Sequence, residues 1–407
     1  MSREPTVELP RPETFSASDK NAMAALKLLI QKKIEAAGGA ISFAQYMELA
    51  LYAPRLGYYV RDDHGIGAQG DFVTAPELSS VFGHCIANQC LEVLMHTGGG
   101  IAEIGAGTGK LALDLLTALP QARWPEHYTI VEKSPALRVR QRATLAALPV
   151  ALGERVRWAD SVPRMNGIIV ANEVLDALAV ERFKIRAGEI WELQVGCANG
   201  SFEWLERPAT DALSAWWEDL SRVLEHSLAD GYMSERCAQL PEFLRETTAP
   251  LRRGVALFLD YGYPRHEYFH PQRMDGTLLC HLQQRAHDDP FWAPGLQDIT
   301  ASVDFTAVAE CAGSMGLEVA GYTTQAWFLL ATGIDAALAG AAQADERAAL
   351  HDLQAAKRLL LPGEMGERIQ AIALTKDYSH PLLGMQMRDT SARLGARDFR
   401  SPAAPHL

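Results

Sequence analysis

The sequence predicts an α/β protein: an open sheet of seven strands with helices on both faces, an N-terminal helical and loop extension, and an inserted α+β cap. Three observations carry this. From about residue 97 to residue 376, short apolar runs alternate with segments of helical period. One run, Ile101 to Ile104, passes into a turn with glycine at alternate positions, Gly105, Gly107 and Gly109, and then into a helix bearing Leu111, Leu113, Leu115 and Leu116. Several runs end in carboxylates or amides, among them Glu103, Glu132, Asp160, Asn172 and Asp260. In open α/β sheets, ligands bind at that carboxyl edge.

The chain has 407 residues, enough for two domains or one elaborated domain. We expect a flexible lead over 1–20, an extension covering the site over 21–96, a ligand-binding domain over 97–376 with a cap inserted at about 181–253, and a loose tail over 377–407. The lead carries Glu4, Glu8, Glu13 and Asp19 and no apolar stretch, so it reads as neither a signal peptide nor a basic transit peptide. No stretch reaches the roughly 18 apolar residues of a membrane span. The expected compartment is the cytoplasm. Formal charge is −12, from 50 acidic and 38 basic residues, which argues against a general nucleic-acid binder. Six scattered cysteines contain no C-x-x-C pair, so neither a zinc site nor a redox pair is indicated.

Taken in order, Lys20 to Ala37 repeats apolar residues at helical spacing, and ISFAQYMELALY (Ile41 to Tyr52) restarts a helix with Ser42 as N-cap. The long loop from Ala53 to Gly83 is rich in Gly, Asp, Tyr and Pro, a composition that in compact domains signals function. It ends in a helix start with Thr74 as N-cap, Pro76 in the first turn and Glu77 as capping-box acid.

The glycine turn discriminates between nucleotide ligands. A P-loop needs a glycine five positions before its Gly-Lys pair and a hydroxyl residue after it, whereas Ile104 and Leu111 stand there. A dinucleotide turn reads G-x-G-x-x-G, while this one is G-x-G-x-G with Glu103 two positions ahead of Gly105. An acid there suits S-adenosylmethionine, which presents a cationic amino group and no pyrophosphate. The second strand, YTIVEKS, ends in Glu132, 23 residues beyond Gly109, where a carboxylate can accept both ribose hydroxyls. RVRWAD is a third strand whose terminal Asp160 could hold an adenine amino group.

GIIVANEVLDALAV is a fourth strand, delivering Asn172 toward the cofactor and then Glu173 and Asp176. Helix capping explains these acids singly and the cluster less well. From Glu181 to Gly231, hairpin-like alternation and a helix build the cap, with Trp204, Trp216 and Trp217 as its core. GVALFLDYGY is the fifth strand, LEVAGYTT the sixth and ERIQAIALTK the seventh. His270, His281 and His287 read as polar loop residues, because spacings of 11 and 6 do not fit a helical metal pair.

The chain resembles the MidA-type methyltransferases, a family that includes the mitochondrial arginine methyltransferase assisting assembly of respiratory complex I. The resemblance rests on ISFAQYMELALYAPRLGYY, GDFVTAPELSSVFG, EIGAGTGKLALDLL, NEVLDAL, LDYGY, DGTLLCHLQQRAHDDPFWAPGLQDITASVDF, TQAWFLLATGI and LLLPGEMGERIQAIAL, in order from about Ile41 to Lys376. It implies a class I methyltransferase-like Rossmann sheet, S-adenosylmethionine as cofactor, and an arginine of a protein as acceptor, in the family a respiratory-complex subunit. Ala106 and Thr108 stand where the mitochondrial members look more like a Pro and Arg version, and the glycines are kept.

Three functions follow from this reading. The first is protein arginine methylation. A guanidinium stays protonated, with a pKa above about 12, so carboxylates must orient it and accept a proton. Glu173, Asp176 and Glu77 are the catalytic candidates, with Asp71 and Asp260 shaping the site. The second keeps the cofactor but methylates a small molecule or another protein side chain. The third is a cofactor-binding assembly module without turnover.

Overall fold

The strand that precedes the glycine turn lies inside a sheet built from apolar runs, and its neighbours on both sides are also largely buried. The computed structural model describes residues 9–61, 74–344 and 346–395. Contact density divides the chain into two units: one of Met1–Phe72, Asp176–Gln239 and His266–Ser302, the other of Val73–Leu175, Leu240–Arg265 and Val303–Leu407.

The second unit holds the main sheet. Its strands are β1 (Gly100–Ile104), β2 (Tyr128–Val131), β3 (Val156–Ala159), β4 (Met165–Asn172), β5 (Leu251–Tyr263), β6 (Glu318–Thr324) and β7 (Ile369–Lys376). They lie in the order β6-β7-β5-β4-β1-β2-β3. β1 to β5 pair in parallel, and β7 runs antiparallel to both neighbours. The order reverses at β1, between β2 and β4, which opens a crevice at their carboxyl ends. Each of the seven runs read as strands forms one, but the sheet among the described residues has eight strands, not the seven expected. An eighth, Val303–Asp304, pairs with the end of β5, and at two residues it is too short to leave a periodic signal.

One face of β1, β4, β5 and β7 packs Ile101, Ile168, Val170, Val255, Leu257 and Ala371 against the helices Ser80–Thr97 and Lys110–Ala118, through Phe82, Ile86, Leu111 and Leu115. Each such large side chain contributes about 1.5–3 kcal/mol on burial. At the other end of the strands, Gly167 has φ +124°, and a Cβ there would lie 2.0 Å from the Gly100 carbonyl oxygen. Residues past Lys376 are packed over part of their length and not loose: Tyr378, Leu382 and Met385 join this core. Leu383 N–H donates to Glu92 at 2.7 Å and Gly384 N–H to Gln89 at 2.8 Å.

The first unit joins the N-terminal extension as far as Phe72 to most of the cap, Asp176–Gln239. The strand Ile41–Ser42 pairs antiparallel with Glu189–Ala198, which also carries Glu181–Arg186 and Ser201–Pro208, and Met233–Arg236 closes the sheet. Ser42 caps the helix Phe43–Tyr52, as its sequence predicts, and forms a reciprocal box with Gln45 that the sequence reading did not name. Phe43 lies 4.9 Å from Trp204, and Phe183 lies 5.5 Å from Trp216 and 6.2 Å from Trp217, so the tryptophans serve the core. His281 and His287 sit on the paired strands Leu279–Leu282 and Arg285–His287, not in a loop. Burial, and then His287, push the His281 imidazole down to about 4. Among the described residues no helix is long and apolar enough to cross a membrane.

Candidate cofactor and active site

β1 carries Glu103 into the sheet interior, where it is 2% exposed. Its carboxylate accepts a hydrogen bond from the Tyr128 hydroxyl at 2.7 Å. Burial raises its pKa to about 7, the Tyr128 bond opposes that shift, and the charge on Glu132 adds to it. The turn beyond it needs residues without a side chain: Gly105, Gly107 and Gly109 take φ values of +65°, +51° and +84°. A Cβ on Gly109 would come 3.2 Å from the Gln141 Cα. The turn is held by Gly105 N–H donating to Val131 O at 3.1 Å and by Thr144 Oγ1 donating to Thr108 O at 2.7 Å.

Directly after β2 comes Glu132, which is 8% exposed. One carboxylate oxygen accepts the Ser134 N–H at 2.8 Å, and the other accepts the Gln141 side-chain amide at 3.1 Å. Burial raises its pKa, and these bonds resist the shift. At the end of β3, Asp160 has a side chain 85% exposed and pairs with Arg138 at 2.6 Å. Arg138 also donates to the Glu132 carbonyl at 2.7 Å.

β4 ends at Asn172, and the next residue, Glu173, has φ +52°, uncommon for a residue with a side chain. Its backbone N–H donates to Leu259 O on β5 at 2.8 Å. One Glu173 carboxylate oxygen accepts the Asn172 side-chain amide at 3.0 Å and the Ala75 N–H at 3.1 Å. Asp260, buried at the end of β5, shapes this corner: its carboxylate accepts from Val174 N at 2.9 Å, Leu175 N at 2.7 Å and Tyr261 N at 2.8 Å. Such buried carboxylate bonds to backbone N–H groups are worth more than neutral ones.

The helix at Ala75 spans only Ala75–Leu78 and breaks at Ser79, which then caps Ser80–Thr97. The expected capping box does not form there. Thr74 makes no side-chain cap, and Glu77 instead accepts the Thr108 hydroxyl, on the glycine turn.

The structure therefore gathers Glu103, Gly105, Gly107, Gly109 and Glu132 around one turn, ties Glu77 to it, and groups Asn172, Glu173 and Asp260 at the neighbouring strand ends. Asp160 points to Arg138. Asp176 belongs to the other unit, is buried, and accepts Ala301 N–H on its backbone oxygen at 3.0 Å. Asp71 lies outside the described residues. Sequence reasoning missed Tyr128, Gln141 and Thr108. Tyr128 and Gln141 sit on buried faces of a strand and a helix, where the periodic signal marks core and not site.

A pyrophosphate would meet two buried carboxylates at this turn, whereas a ligand offering an ammonium group and a ribose diol meets acceptors for both. The residues present thus fit S-adenosylmethionine. Residues 85–323 match the model of a family of S-adenosyl-L-methionine-dependent methyltransferases. The protein arginine methyltransferase NDUFAF7, mitochondrial, of Danio rerio is 30% identical over 386 residues, covering 85% of each chain. The Homo sapiens protein of the same name is 27% identical over 372 residues, covering 83% of this chain and 80% of its own. A crystal structure from Burkholderia thailandensis bound to S-adenosyl-homocysteine is 39% identical, with a TM-score of 0.88, over 95% of this chain and 100% of that one. With a family match across more than half its length and the glycine turn built as that chemistry requires, the chain belongs to the MidA-type family of S-adenosyl-L-methionine-dependent methyltransferases.

Proposed function

We propose that this methyltransferase acts on arginine in a protein substrate. The relatives named as protein arginine methyltransferases support the acceptor, and the observation that carries it in this chain is Glu173. It is a carboxylate at the carboxyl end of a central strand, held in a left-handed backbone conformation that ordinary residues avoid. The cofactor supplies an electrophilic methyl on a sulfonium, so transfer is an in-line displacement in which position and electrostatics provide most of the rate.

Glu173 orients the guanidinium and draws its positive charge toward the nitrogens that do not react. The bonds from Ala75 N–H and the Asn172 amide fix the carboxylate without neutralising it. Glu77, anchored on Thr108, is the second acceptor of guanidinium protons. Removal of one guanidinium proton during or after transfer completes the reaction.

The test is transfer of labelled methyl from S-adenosylmethionine by the purified chain into lysate of a strain lacking it, followed by acid hydrolysis. Label in methylated arginine is the expected result. Label confined to low-mass material would overturn the protein acceptor. Glu173→Gln keeps both hydrogen bonds to the side-chain oxygen and removes the charge, so it should bind cofactor and lose transfer. Undiminished transfer by that variant would remove Glu173 from the chemistry.

A further inference from the structure

We infer that Gln141 is a positioning residue, the group that aims the Glu132 carboxylate and the glycine turn at the cofactor's ribose; this rests on Glu132 as the ribose acceptor. Gln141 lies on the helix Pro135–Leu145 and is 0% exposed. Its amide makes three hydrogen bonds, each to a different part of the cradle. The Trp158 indole N–H on β3 donates to its oxygen at 2.9 Å. Its nitrogen donates to Glu132 at 3.1 Å and to the Gly107 carbonyl at 3.1 Å.

The direction of every bond is fixed by chemistry. An indole N–H can only donate, so Trp158 forces the amide oxygen toward β3 and sends both amide hydrogens toward the cofactor edge. An ionised carboxylate offers about four acceptor positions. Ser134 N–H takes one on the first Glu132 oxygen and Gln141 takes one on the second, which pins the plane of the carboxylate and leaves acceptor capacity on each oxygen. Two hydroxyls of a ribose can use such a pair. The third bond holds Gly107, at the centre of the turn, in register with that carboxylate. A buried network of this kind rigidifies only when every member is satisfied. Replacing the amide would orphan an indole N–H, a carbonyl and one side of a carboxylate together.

The experiment is calorimetric titration of the full chain with S-adenosylhomocysteine and with its 2′,3′-dideoxy analogue, which lacks both ribose hydroxyls. Gln141→Leu should weaken S-adenosylhomocysteine about 10- to 100-fold, and the dideoxy analogue by at most about threefold. The bond to Gly107 acts on both ligands, so the difference between them reads the Glu132 arm alone. Trp158→Phe keeps Gln141 but removes the donor that sets its orientation, and should give a smaller loss with the same selectivity for the ligand bearing the diol. Should Gln141→Leu fail to fold, Trp158→Phe decides. Equal losses for both ligands, or no loss for S-adenosylhomocysteine, would overturn the positioning role. Failure of the native chain to bind S-adenosylhomocysteine would overturn the cofactor reading itself, and this assignment with it.

Discussion

Glu103, which we propose as the acceptor for the cofactor's ammonium group, should make cofactor affinity a titratable quantity. Burial lifts its pKa from an ordinary 4.5 to about 7, so holding the charge costs the folded chain about 3 kcal/mol. Because the folded state binds this proton more tightly than the unfolded state, Glu103 favours the fold at low pH. That contribution is complete below 4.5 and is lost as pH rises through about 7. A ligand with an ammonium group reverses the preference, since it interacts best with the carboxylate. About one tenth of the sites are ionised at pH 6 and about nine tenths at pH 8, so affinity for S-adenosylhomocysteine should rise about ninefold across that range. Calorimetric titrations at pH 6, 7 and 8, each in two buffers of different ionisation enthalpy, read both the affinity and the proton released. Glu103→Gln cannot ionise, keeps an acceptor for Tyr128, and should flatten the profile. A slope unchanged in Glu103→Gln, or none in the native chain, would refute the reasoning.

Three perturbations test the scaffold. Asp260→Asn must turn its amide nitrogen either toward the Tyr261 N–H or toward the Val174 and Leu175 N–H groups, which share one oxygen, and should cost about 2–3 kcal/mol in chemical denaturation, with cofactor binding weakened in parallel; a change below about 0.5 kcal/mol would contradict its role. Thr108→Val removes the donor to Glu77 and should cost about 1 kcal/mol while loosening the helix Ala75–Leu78, read as faster amide exchange there; unchanged exchange would show that the link does not hold the segment. Gly167→Ala places a Cβ 2.0 Å from a carbonyl oxygen at φ +124° and should prevent folding at 37 °C, so a soluble, cooperative variant would contradict the register of β1 against β4.

The sheet was legible because its strands announce themselves twice, by apolar runs and by what ends them. β4 finishes in Asn172, β1 and β5 carry Glu103 and Asp260 near their ends, and Glu132 directly follows β2. What the sequence hides is pairing between distant segments. Ile41–Ser42 joins Glu189–Ala198 across some 150 residues, so the first part of the extension, to Phe72, and most of the cap, to Gln239, separate in the chain, fall in one unit. Local rules also misassigned Glu77: it has the spacing of a capping acid, yet Thr108 offers it a stronger partner. The histidines of the Leu279–His287 hairpin read as loop because each strand is three or four residues long.

The central claim is that the turn at Gly105 to Gly109, with Glu132 beside it, is the cofactor site, and titration with S-adenosylhomocysteine tests it most directly. The native chain should bind one equivalent. Gly107→Val, which puts a β-branched residue at φ +51°, should abolish measurable binding, and Glu132→Gln should weaken it about tenfold or more while the chain stays folded. Native affinity in both variants would contradict the account.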